Sequence, residues 1–198
     1  MRRNAVQLMK PLRVPKEVKH YGRLASEMML TEMGEEYEFN PRWIRSQGWK
    51  VVPAECMARI PTPDIPRIVS VLRGGGYREC VAIFNEAGYI QSLPVIVASN
   101  PPGHMATTYV VAIDEADFEE LNHELGIFRF LLMDENRSWA ISCTEWYNLF
   151  AGEAEFVESL LGKPIDLARR EFSEFASLMA QGNAAEPLMR VAKHYAAF

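Results

Sequence analysis

Residues 127–144 read Ile127-Phe128-Arg129-Phe130-Leu131-Leu132-Met133-Asp134-Glu135-Asn136-Arg137-Ser138-Trp139-Ala140-Ile141-Ser142-Cys143-Thr144. Two apolar runs flank a polar centre, and that pattern predicts strands over 127–133 and 138–144 joined by a hairpin turn at Asp134–Arg137. In the second run Trp139, Ile141 and Cys143 alternate with Ala140 and Ser142. One face of that strand therefore carries the larger side chains.

Working back towards the N-terminus, Asp114 caps a short helix to about Glu124, with Asp117 in its first turn. Before it lie a strand at 107–113, a proline-stiffened loop at 99–107 and a hairpin of 79–84 with 89–98 turning at 85–88. Pro94 places its strand at an edge or a bulge. Asp64 is read as the N-cap of a helix with an apolar stripe of Ile65, Ile68, Val69 and Leu72, ended by Gly74-Gly75-Gly76. Trp49, Val51 and Val52 mark an edge strand, and Trp43-Ile44 opens a short helix that Gly48 ends. The first long helix starts at Pro15, where the missing N–H costs nothing, and Gly34 supplies its stop. Towards the C-terminus the chain turns helical, over 153–161, from Pro164 onward until Gly182-Asn183, and over 186–198. Trp139, Trp146, Tyr147 and Phe150 crowd the stretch where the last strand is expected to become helix.

Runs of strands followed by runs of helices indicate an α+β fold. The expected architecture is a mostly antiparallel sheet of about five strands, with helices packed on one face and a helical C-terminal region. The 198 residues are read as one domain, residues 1–14 being a basic N-terminal arm and 151–198 helices packed on the sheet.

Composition excludes several classes. Hydrophobic residues at 48% and charged residues at 24% form an ordinary globular mixture, not a disordered one. Apolar runs such as 130–133 fall far short of the ~20 residues a membrane span needs. Three widely spaced cysteines, Cys56, Cys80 and Cys143, do not make a secreted disulfide framework, and no signal peptide opens the chain. A soluble, cytoplasmic protein of bacterial type is expected. Residues 1–23 carry seven Lys or Arg against Glu17 alone, a balance of +6; since the chain totals −5, the remainder carries −11. Such an arm, with Arg2, Arg3, Lys10 and Arg13, fits the chain's own acidic face or a partner subunit better than nucleic acid, which the body would repel.

Catalytic patterns are sparse. Gly74–Gly76 follows a helix and precedes a strand, the reverse of a phosphate loop. Cys143 is the candidate nucleophile, but its neighbours read as the inner face of a strand, where a thiol behaves as a small hydrophobe. His20, His104, His123 and His194 sit on separate elements, and no pair has metal-ligand spacing. His104, with Asn100 and Thr107, is the first choice if a small-molecule pocket exists. On the acidic helix, Glu115, Glu119 and Glu120 are read as a solvated face or a docking surface for a basic partner. Trp146 and Tyr147, if exposed, are natural interface anchors.

The expected function is a non-enzymatic, cytoplasmic binding or regulatory protein acting through a protein–protein surface, as regulators, adaptors or toxin-neutralising proteins do. Its surface residues are Glu115, Glu119, Glu120, Trp146 and Tyr147, and its partner another protein or a second copy of itself. No cofactor, metal or membrane is implied. The alternative is an enzyme using His104 or Cys143 near the 99–107 loop. A third reading is nucleic-acid binding through the arm.

Overall fold

The computed structural model describes residues 9–29, 38–56, 60–84, 108–125, 129–144, 146–179 and 185–196. Its strands are β1 (Lys10–Pro11), β2 (Lys50–Glu55), β3 (Glu79–Phe84), β4 (Thr108–Ala112), β5 (Phe130–Met133), β6 (Trp139–Cys143) and β7 (Tyr147–Gly152). The helices are α1 (Pro15–Met28), α2 (Pro41–Gln47), α3 (Ile65–Gly74), α4 (Glu115–Leu125), α5 (Ala154–Leu161), α6 (Ile165–Leu178) and α7 (Ala185–Tyr195), with a 3-10 turn at Thr62–Asp64 leading into α3. The fold is α+β, as the sequence implies.

The strands form one sheet in the order β1-β4-β3-β5-β6-β7-β2, every pair antiparallel. Seven strands, not five, make this sheet. Both added strands have a physical reason to escape notice. β1 is only two residues long and lies inside the basic arm, where Lys10 pairs with Val110 and Pro11 with Tyr109. β7 is buried at all six positions, so its sequence shows no alternation between an inner and an outer face. Where the last strand was expected to become helix, a further strand, β7, follows β6 instead.

Helices cover both faces, which corrects the expected one-sided packing. On one face Trp139, Ile141, Cys143, Phe130 and Phe150 pack against Ile68 and Leu72 of α3, Phe118 and Leu121 of α4, and Val157 and Leu160 of α5. On the other, Leu131, Met133, Ala140, Leu149 and Ala151 meet Leu24 and Met28 of α1, Ile44 of α2, and Val191 and Tyr195 of α7. A sheet covered twice leaves its middle strands no wet side, and β5 and β6 are buried at every residue.

α6 joins the two layers. Ile165 and Ala168 pack with the first face, Phe172 and Ala176 with the second, so the helix wraps round the β2 edge. There Arg169 donates to the Val51 carbonyl oxygen at 3.4 Å. Pro53, at the middle of β2, belongs on an edge because it has no N–H for a further neighbour.

Local signals explain most helix ends. Asn40 caps α2 by accepting from the Arg42 and Trp43 N–H groups at 3.0 and 3.5 Å, and Gly48 ends it at φ 67°. Asp114 Oδ1 accepts from the Asp117 N–H at 2.8 Å, the cap expected for α4. Asp64 differs: the 3-10 turn runs straight into α3, its carboxylate makes no cap bond, and it pairs with Arg67 at 2.9 Å instead. The turn at 85–88, the strand at 89–98, Gly34 and Gly182-Asn183 lie outside the described residues.

Candidate functional site

Of the two side chains named for catalysis, Cys143 alone lies among the described residues. Cys143 is buried on the inner face of β6, and burial, then the nearby Cys56, pushes its thiol well above the usual range. A thiol held protonated in an apolar layer is a poor nucleophile. Burial raises Cys80 in the same way. His104 and the loop at 99–107 lie outside the described residues. Among the described residues, no three His, Cys, Asp or Glu side chains converge on a metal position.

The surface residues divide. Glu115 and Glu119 are exposed and Glu120 is half-buried. Trp146 keeps 36% of its surface in water, whereas Tyr147 keeps 2%. Tyr147 is therefore no surface anchor. Successive strand side chains point to opposite faces, and that of Tyr147 stacks edge-on against Phe172, ring centroids 5.9 Å apart. In the basic arm Lys10 and Arg13 are exposed, while Arg2 and Arg3 lie outside the described residues.

Trp146 stands on a braced turn between β6 and β7. Thr144 Oγ1 donates to the Tyr147 carbonyl at 2.6 Å and accepts from the Tyr147 N–H at 3.2 Å. The Cys56 N–H, just beyond β2, donates to the Trp146 carbonyl oxygen at 3.1 Å. These bonds hold the backbone from which the indole projects.

A groove of about 260 Å³, lined from β7 by Asn148 and Phe150, is walled by the end of β2, the 3-10 turn, α3 and the α5–α6 junction. Ala54, Asn148, Phe150 and Leu161 contribute to its lining, with Glu55, Asp64, Arg67, Lys163 and Glu171 as its charged groups. Buried Asn148 accepts from the Cys56 thiol at 3.3 Å. Arg67 reaches Asp64 at 2.9 Å and donates Nε to the Leu160 carbonyl at 2.9 Å. Lys163 pairs with Glu171 at 2.7 Å. Gly162 makes room for this arrangement: its φ is 68°, and a Cβ there would stand 2.9 Å from Arg67 Cδ. Glu55 is exposed and has no ion pair among the described residues. Sequence reading missed the groove because its lining comes from four separate stretches of chain. One signal was available: an asparagine inside the apolar run of β7.

The acidic helix also departs from a simple wet face. Asp117 is buried, and its Oδ2 accepts from the Ala112 N–H at 2.9 Å, tying α4 to β4. Desolvation raises its carboxyl pKa, the Ala112 bond opposes that, Asp114 and Glu120 add to it, and Lys10 of the arm opposes it again. A raised carboxyl pKa means the folded chain holds this proton more tightly than the unfolded one. The contribution is thus present at low pH and lost as pH rises through the folded value. Asp117→Asn keeps an acceptor for Ala112 but cannot ionise. In urea titrations the variant's midpoint should gain on the wild type as pH rises from the ordinary aspartate value of 3.8 towards neutrality. A gap that stays constant, or moves the other way, would show that Asp117 is not desolvated. His194 works in the opposite sense: burial, then Arg45 and Arg190, lower its pKa, so its contribution is lost as pH falls.

No helix among the described residues is long and apolar enough to cross a membrane. No protein-family model matches the chain, and comparison with curated proteins and with solved structures likewise finds no match.

Proposed function

We propose that the chain is a non-enzymatic, cytoplasmic protein-binding module of the regulator or adaptor type. Its contact surface would be centred on Trp146 and the groove. The observation that carries this reading is an exposed indole on a turn braced from both sides. Tryptophan is the side chain most enriched at interface hot spots, and a backbone already held leaves less to order on binding. The groove offers Glu55, an exposed carboxylate with no ion pair among the described residues, so a partner presenting an apolar side chain next to a basic one matches this surface. The buried free thiols of Cys56, Cys80 and Cys143 support a reducing compartment.

The test is quantitative affinity capture with the full chain as bait, with Trp146→Ala and Glu55→Lys baits in parallel. A partner bound by the wild type should fall by about tenfold or more with Trp146→Ala, the size of a hot-spot loss. Glu55→Lys should weaken the same partner. Retention of every wild-type partner by both variants would end the proposal. Glu55 is exposed, so Glu55→Lys should unfold within about 0.5 kcal/mol of the wild type, and urea unfolding of Trp146→Ala is measured alongside so that lost binding is separated from lost stability.

A further inference from the structure

The outer face of α6 carries a pattern that fits a second copy of itself. Leu178 is 79% exposed and Leu167 is 36% exposed, the former a high value for a large apolar side chain. Eleven residues separate them, close to three full turns, so they lie on one stripe. Between them on that stripe stand Arg170 and Glu174, both exposed. Neither has an ion pair among the described residues. Arg170, Ser173, Glu174, Ser177 and Leu178 share one open, nearly flat face. The neighbouring Glu171 is held aside by Lys163 at 2.7 Å.

We infer that this face mediates a symmetric dimer in which two copies of α6 lie antiparallel about a twofold axis near residue 172. In a twofold contact, residue i of one copy meets residue j of the other, and j meets i. An axis at that point sets Arg170 against Glu174 of the second copy, and the same pair recurs on the other side. It also sets Leu167 beside Ser177 and Leu178 of the second copy, again twice. The one stripe thus satisfies both of its charges and covers all four leucines. A parallel arrangement would oppose Arg170 to Arg170 and Glu174 to Glu174, so charge selects the antiparallel one. The helix has 14 residues and is about 21 Å long, so the contact lies at the small end of specific interfaces and its affinity in the micromolar range.

Sedimentation velocity on the full chain, from about 1 to 300 µM, brackets such an affinity. The wild type should pass from monomer to dimer over that range. Arg170→Glu and Glu174→Arg each create two like-charge contacts per dimer and should weaken association by about tenfold. The double variant Arg170→Glu/Glu174→Arg restores opposite charges and should recover to within about threefold of the wild type. Leu178→Ser should weaken association by about tenfold without involving charge. A wild type monomeric throughout overturns the inference. So does association that ignores both the reversals and Leu178→Ser, because the contact would then lie elsewhere. A double variant that fails to recover excludes the antiparallel pairing.

Discussion

Trp139→Ala should lower the free energy of unfolding by about 3–5 kcal/mol, the usual cost of emptying a large aromatic site in a packed core. Trp139 is fully buried at the start of β6, between α3 and α5. Its ring meets Tyr77 edge-on at 5.9 Å, and Tyr77 in turn meets Phe156 at 6.1 Å. Alanine would leave a void bordered by aromatic rings that cannot all collapse into it. Trp139→Phe is the informative control. The indole Nε1–H has no hydrogen-bond acceptor among the described residues. Phenylalanine therefore loses volume but also removes a buried donor that was already unmet, and the two effects oppose one another. The expected cost is about 1–2 kcal/mol, read from urea or thermal unfolding. A Phe variant as damaged as the Ala variant would mean that the indole N–H is satisfied after all.

The second large effect belongs to the hairpin turn. Asp134 is buried, and its carboxylate accepts from the Asn136 N–H at 3.1 Å, the Ser138 N–H at 2.5 Å, the Ser138 hydroxyl at 3.0 Å and the Trp139 N–H at 3.2 Å. Its own carbonyl accepts from the Arg137 N–H at 3.1 Å, closing the turn. Arg137 sits at φ 55°, a conformation that non-glycine residues seldom adopt. It is held from the outside by Glu27 at 2.6 Å and by the face of Trp43, 5.7 Å from the guanidinium carbon. Asp134→Ala removes the acceptor for four donors at once, three of them backbone N–H groups. The expected loss is about 2–4 kcal/mol, with Asp134→Asn losing roughly half of that because one oxygen remains. An alanine variant within about 0.5 kcal/mol of the wild type would show that water replaces the carboxylate.

What the sequence disclosed follows from how each element is buried. α3, α4 and α5 have one dry side and one wet side, so their apolar spacing reads directly as helix. The Asp134–Arg137 turn was legible because polar residues interrupt two apolar runs. β7 was not: at Tyr147–Gly152 every position is buried, so no alternation between an inner and an outer face marks it. One-sided packing was expected from the order of elements, strands and then helices, and that order does not say which face of the sheet each helix covers. Asp117 was read only as a first-turn carboxylate of the acidic helix, yet it turns inward to reach Ala112. Trp146 and Tyr147 were named together, and the start of β7 at Tyr147 separates them, leaving Trp146 on the turn. The groove was invisible for a different reason. Ala54, Asp64, Asn148 and Lys163 meet only once β2 has paired with β7.

That pairing also constrains the order of events at the ribosome. Lys50 pairs with Gly152 and Glu55 with Tyr147, so β2 waits for a partner made roughly a hundred residues later, several seconds at ordinary rates of synthesis. Throughout that delay a strand containing Val51 and Val52 is available to neighbouring nascent chains. Lys50, Pro53 and Glu55 sit within that strand as gatekeepers, opposing premature association until its late-arriving neighbour emerges.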